Sequence, residues 1–210
     1  MSGMTPELIG ALAMFAFASS ITPGPNNTML LASGANFGLR ASIPHMLGVS
    51  VGFVLLLLVV GGGLGGVFTA YPVLHVILAW AGTLYLLYLA ARIALSSGMK
   101  ARKDGARPMR FLEAVSFQAV NPKGWAMSLG AMTAYAPQAH YLVNVGIVGL
   151  VFGLINAPCI LAWTTFGVSM RRFLDRPAVL RGFNLAMAGV LVLSLIPSLM
   201  ELFAQVRGGR

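Results

Sequence analysis

Apolar residues along this chain gather into long runs divided by short polar or basic connections. Six of these runs are long enough to cross a bilayer, at roughly 6–34, 43–68, 72–95, 111–136, 142–168 and 182–204. The pattern predicts six membrane helices and leaves no stretch for a soluble domain, so 1–210 reads as one polytopic transmembrane domain. No Lys or Arg precedes the first run, which therefore lacks the basic start of a secretory signal and is expected to remain as a helix.

Two of the six runs are interrupted. Thr22-Pro23-Gly24-Pro25-Asn26-Asn27 lies inside the first and Asn121-Pro122-Lys123 inside the fourth. Proline donates no backbone hydrogen bond, so Pro23 and Pro25 deprive the carbonyls of Ser19 and Ile21 of their helical partners, and Pro122 does the same to Gln118. Irregular backbone at membrane depth is tolerated only where it lines protein or a watery cavity. Depth supports the reading, since Asn121 lies eleven residues inside Arg110, about 16 Å at helical rise. Either break alone also fits a Pro kink without function.

The two breaks match. Each reads as an N-cap residue, Thr22 or Asn121, followed by proline at the first helical position. Gly48-x-x-x-Gly52 in run two is echoed by Gly149-x-x-x-Gly153 in run five, about a hundred residues on. Three spans per half is an odd number, so the second half must lie upside down relative to the first. The expected fold is an all-α integral membrane protein of six transmembrane helices. They form two inverted-topology three-helix repeats, 1–95 and 111–210, joined by a basic loop 96–110, with helices one and four broken by Pro. The small-residue faces of spans two and five serve either packing within the protomer or a homodimer.

Composition agrees: 58% of residues are hydrophobic and 9% charged. The formal charge of +9 raises nucleic acid as a partner, but its distribution excludes it. Arg40, the cluster Arg92 to Arg110, and Arg171, Arg172, Arg176 and Arg181 occupy alternate connections, whereas 69–72 and 137–141 hold no Lys or Arg. This is the positive-inside pattern, with basic loops in the cytoplasm, membrane lipid as their neighbour, and both termini outside. Arg207 and Arg210 at the end run against it.

Candidate chemistry concentrates at the breaks. Lys123 follows Pro122 at a depth where insertion scales charge a lysine about 2.5–3.5 kcal/mol, and no mid-span Asp or Glu is available to pair with it. An anionic substrate group would pair it; snorkelling to the cytoplasmic surface is the alternative. The half-helix starts after Thr22 and Asn121 offer orphan N–H groups to a carboxylate. The freed carbonyls suit an ammonium, and Asn26, Asn27 and Asn121 add neutral donors and acceptors. Thr22, Pro23, Gly24, Pro25, Asn26, Asn27, Gln118, Asn121, Pro122 and Lys123 thus form a candidate site for a zwitterion, a neutral amino acid above all. Asn156, beside Pro158 in span five, joins it or bonds between helices with equal claim. Tyr85 and Tyr88 share a helix face and read as packing. His45, His75 and His140 show no convergent spacing, Cys159 is a lone packing residue, and no nucleophile–base set is visible, so neither enzyme, cofactor nor metal is expected.

These residues resemble the lysine exporter (LysE/RhtB) family of bacterial amino-acid exporters. The likeness runs from Thr22-Pro23-Gly24-Pro25-Asn26 through Ala32 to Gly38 and Gly48, returns at Trp80-Ala81-Gly82-x-x-Tyr85-Leu86, and closes on Asn121-Pro122-Lys123. Trp80-Ala81-Gly82 and Asn26-Asn27 are similar to the cysteine and O-acetylserine exporter branch. The resemblance implies a secondary transporter in the bacterial inner membrane that exports small neutral amino acids or derivatives by alternating access, usually in exchange for protons. Many relatives carry an acid where Asn156 stands, which leaves Glu113 as the leading carboxylate for proton exchange; the alternative for Glu113 is a surface partner of Arg110. A metal ion or small anion as cargo on the same scaffold, or a structural membrane protein without transport, are the competing readings.

Overall fold

The computed structural model describes residues 4–64, 70–95, 107–174, 176–193, 195–196 and 199–200. Among these residues the chain forms eight α-helices and no strand. They are α1 (Pro6–Ile21), α2 (Pro25–Phe37), α3 (Leu39–Val59), α4 (Pro72–Ala94), α5 (Phe111–Gln118), α6 (Pro122–Tyr135), α7 (Tyr141–Met170) and α8 (Pro177–Leu193). The first expected run is α1 plus α2, bent by 54° at the break. The fourth is the short pair α5 and α6. By length and apolar composition, Leu39–Gly63, Tyr141–Phe173 and the bent pair α1–α2 qualify as spans, while α8 is a shorter apolar helix. The loop from 96 to 106, with Lys100, Arg102 and Lys103, and the terminal Arg207 and Arg210 lie outside the described residues.

Local signals set the helix ends. Thr5 caps α1 by accepting the amide of Leu8 at 3.3 Å, Pro6 opens the helix, and Glu7 sits at its positive end. Gly38 joins α2 to α3 at φ +86°, in the left-handed region. One irregularity had no counterpart in the expected pattern: α3 runs on into a π-helical turn at Val60–Leu64, where Gly63 takes φ +115°.

Polarity is arranged inside out. The outward face of α7 presents Leu142, Leu150 and Leu154, more than 60% exposed, whereas Asn144, Asn156 and Thr164 of the same helix are buried. An apolar exterior of this extent on a protein that buries its amides matches a lipid surround.

The long helix α7 is the hub, packing on α2, α3 and α1; α3 packs on α5, and α4 on α8. The backbones of α2 and α7 come into direct contact. A Cβ on Gly34 would collide with the carbonyl of Thr164, and one on Gly167 with the carbonyl of Leu31. The expected glycine pairs both work inside the protomer. Gly48 and Gly52 admit the backbone of α5 at Phe111 and Val115, and Gly149 and Gly153 face Leu58 and Val54 of α3. Aromatic contacts tie α1, α3 and α7 together, with the Phe152 ring 6.0 Å from Phe15 and 5.5 Å from Phe53. Tyr85 packs on Phe117 at 5.8 Å, in keeping with its expected packing role.

Candidate functional site

The first break is stitched by side chains rather than left open. Past Ile21 the amide and hydroxyl of Thr22 both close on the carbonyl of Ala18. Asn27 reaches back from α2, its Nδ2 donating to Ser20 O at 2.7 Å and Thr22 O at 2.9 Å. The indole of Trp163 on α7 donates to Ile21 O at 3.1 Å. The register differs from the expected one, because Thr22 is the C-cap of α1 while Gly24 is the N-cap of α2, with Pro25 at its first position. Two closely spaced prolines are the reason: the chain stays extended across Pro23 and Gly24 and can turn helical only where Pro25 no longer restricts the residue before it. Gly24 is extended, and what it supplies is room. A Cβ there would lie 2.7 Å from Cδ of Lys123.

The second break follows the expected register. Asn121 is the N-cap of α6, extended at φ −84° and ψ 105°, and Pro122 begins the helix. Its side chain makes no capping bond, so the cap is one of position only. The amides of Ala119, Val120 and Asn121 each bond back three residues, which tightens the end of α5. Asn121 N thereby occupies the carbonyl of Gln118 at 3.3 Å, and Trp125 Nε1 takes that of Ala119 at 2.8 Å. Of the three carbonyls expected to await an ammonium, Ile21 O and Gln118 O are therefore already engaged.

The breaks meet. Asn26 and Gln118 exchange amide bonds at 2.9 and 3.1 Å, and Asn121 Nδ2 donates to the same Gln118 oxygen at 3.2 Å. Lys123 does not snorkel outward; its Nζ donates to Thr22 O at 2.7 Å and Pro23 O at 3.3 Å. Between them lies a cavity of about 30 Å³, enough for water and far below the 300–1,000 Å³ typical of ligand pockets. Of the expected residues Gly24, Asn26, Asn27, Asn121, Lys123 and Asn156 line it, while Thr22, Pro23, Pro25, Gln118 and Pro122 build its frame. Asn156 thus faces the cavity.

Ser19, expected through its freed carbonyl, also lines the cavity, as do Ser20, Phe53, Gly124 and Met127, which were not foreseen. Ser20 follows Ser19 one residue closer to the break, which is the only hint the sequence carries. Phe53, Gly124 and Met127 give none. Ser20 Oγ and Asn121 Oδ1 are buried without a partner among the described residues. Trp163 was missed as well, although a mid-span indole N–H needs an acceptor.

The lining holds no Asp, Glu, His or Cys. His45 is buried in α3 away from the lining, His140 is the N-cap residue of α7, and the side chain of His75 lies outside the described residues. Among the described residues no three His, Cys, Asp or Glu converge to hold a metal. Glu113 caps the start of α5: it accepts the amide of Arg110 at 2.9 Å and pairs with Arg107 at 2.8 and 2.5 Å. The expected partnership with Arg110 is thus made through its backbone, and the ion pair goes to Arg107. Glu113→Gln is expected to cost about 1 kcal/mol of stability, the worth of a helix cap with a surface pair, and to leave transport intact. Loss of transport at normal abundance would instead return Glu113 to a proton-carrying role.

Amides inside and leucines outside mark a membrane protein, and its two broken helices meet at a small cavity lined by amides and a lysine, the arrangement in which many transporters hold their cargo. The sequence model of the LysE type translocator family matches residues 17–200, and the chain belongs to that family. It is 30% identical over 192 residues to the cysteine/O-acetylserine efflux proteins of Escherichia coli K12, Escherichia coli O9:H4 and Shigella sonnei, covering 90% of this chain and 96% of each relative. No solved structure matches significantly.

Proposed function

We infer that the protein exports small neutral amino acids or close derivatives, of the cysteine and O-acetylserine kind, across the bacterial inner membrane. The observation that carries this reading is the junction of the two breaks, where Lys123 Nζ of α6 meets Thr22 O of the first break at 2.7 Å beside a lining of amides. Half-helix starts and a lysine suit a carboxylate, carbonyls suit an ammonium, and the absence of an acid from the lining disfavours a cationic cargo. The names of the relatives supply the direction and the cargo class.

Transport runs by alternating access between two inverted repeats of three spans, with both termini outside and protons as the exchanged ion. Packing supports the inverted relation. If α1, α2, α3 and α4 correspond to α5, α6, α7 and α8, then α1 on α7 has its counterpart in α5 on α3, and α3–α7 and α4–α8 cross between the halves. The cavity is too small for an amino acid, so loading requires the half-helices to part.

Thermal stabilisation of the purified protein by O-acetylserine, cysteine and the other neutral amino acids tests the reading. At a hundred times Kd a ligand adds about 2.7 kcal/mol, a shift of several degrees. The expected result is a selective shift that Lys123→Ala abolishes while the protein still inserts. Stabilisation that survives Lys123→Ala would move the site elsewhere, and no shift from any amino acid in the wild type would overturn the cargo class.

A further inference from the structure

Lys123 is placed where a substrate would be. Its Nζ lies on the carbonyls of Thr22 and Pro23, in the position that a substrate ammonium would take. A lysine ammonium has three donors, and two are spent there. Beside it, two nine-tenths buried groups on the cavity wall, Ser20 Oγ and Asn121 Oδ1, have no partner among the described residues. A finished structural latch would leave neither unpaired.

Resting on the zwitterion site argued above, we propose that Lys123 is a tethered occupant of the ammonium subsite, and that cargo loads by exchange with it. The substrate's ammonium takes the carbonyls of Thr22 and Pro23, with Asn121 Oδ1 as a further acceptor. The released Lys123 Nζ turns to the substrate's carboxylate. No proton moves and no covalent bond changes. Every donor and acceptor that the exchange opens is filled again, and a carbonyl bond to Lys123 becomes a stronger carboxylate bond.

Charge makes the exchange selective. Empty, the site carries a net charge of +1 on Lys123; with a zwitterion the net charge is still +1, because the carboxylate offsets the second ammonium. A cationic cargo would raise the net charge to +2, with no carboxylate between the two ammonium groups. A carboxylate lacking the amine would strip Lys123 from Pro23 O and leave Thr22 O to Asn27 alone, with nothing from the cargo to replace the lost bonds. The required class is therefore a molecule with adjacent ammonium and carboxylate. The exchange also breaks the hydrogen bonds by which Lys123 ties α6 to the first break.

The discriminating probe is 2-aminoethyl acetate, the decarboxylated counterpart of O-acetylserine, used with the full-length protein in detergent. Wild type should bind O-acetylserine and bind the amine at least tenfold more weakly, since Lys123 holds its place. Lys123→Met should lose O-acetylserine and gain the amine by tenfold or more, because both carbonyls lose the Lys123 ammonium and Thr22 O keeps only Asn27. Loss of O-acetylserine with no gain of the amine would overturn the exchange and leave the zwitterion site standing. Retention of O-acetylserine by Lys123→Met would remove Lys123 from the site and overturn both. Lys123→Gln, which preserves length and polarity, serves as the second variant and is expected to gain the amine less than Lys123→Met does.

Discussion

Gly34→Val should leave little folded protein in the membrane. The two backbones of α2 and α7 touch at this point, and a Cβ on Gly34 would meet the carbonyl of Thr164 rather than a side chain that can swing away. Gly167 stands in the reciprocal position against Leu31, so the crossing has no slack on either helix. Overpacking a fitted core costs roughly 1–3 kcal/mol, and more where backbone must yield. Membrane helices associate largely through such close packing, with no hydrophobic force to restore them once parted. α2 also carries Asn26 and Asn27, so a displaced α2 would take the site with it. Gly10→Ala and Gly146→Ala provide the contrast, since nothing lies within 4 Å of a Cβ at either position. They should be neutral or stabilising, by up to about 1 kcal/mol of helix propensity. Membrane abundance and detergent melting of the three variants decide the matter, and wild-type behaviour of Gly34→Val would mean that α2 and α7 do not cross as described.

Asn27→Asp is the second large effect, and it is nearly isosteric. Asn27 donates to both Ser20 O and Thr22 O, which ties the end of α1 to the start of α2 across two prolines. Aspartate has no donor when ionised and would aim charge at two carbonyl oxygens in a buried place. At mid-membrane an ionised aspartate alone costs about 2.5–3.5 kcal/mol on insertion scales. Ser20 O, left without its side-chain donor, adds about 1–3 kcal/mol, while Thr22 O keeps Lys123. The variant is therefore expected to be nearly absent from the membrane. Asn27→Leu, which loses the donors without adding charge, should fall between it and wild type. If Asn27→Asp accumulated normally and still transported, the amide would not be what holds the break together.

Much of this protein was legible along the chain because membrane physics writes in one dimension. Apolar runs marked the helices, and prolines and glycines marked where they break, since a missing N–H is a local property that Pro23, Pro25 and Pro122 carry wherever they are placed. Depth and charge singled out Lys123 for the same reason. What remained hidden depends on approach between distant segments. Nothing near Thr22 in sequence says that Trp163 takes Ile21 O, or that Asn27 rather than water satisfies Ser20 O. The glycine pair at the crossing of α2 and α7, Gly34 and Gly167, has no shared spacing to announce it. Local chemistry named Lys123 as the cation of the site; packing of α6 against the first break set its partner, because a long flexible amine goes to whichever freed carbonyl lies within reach.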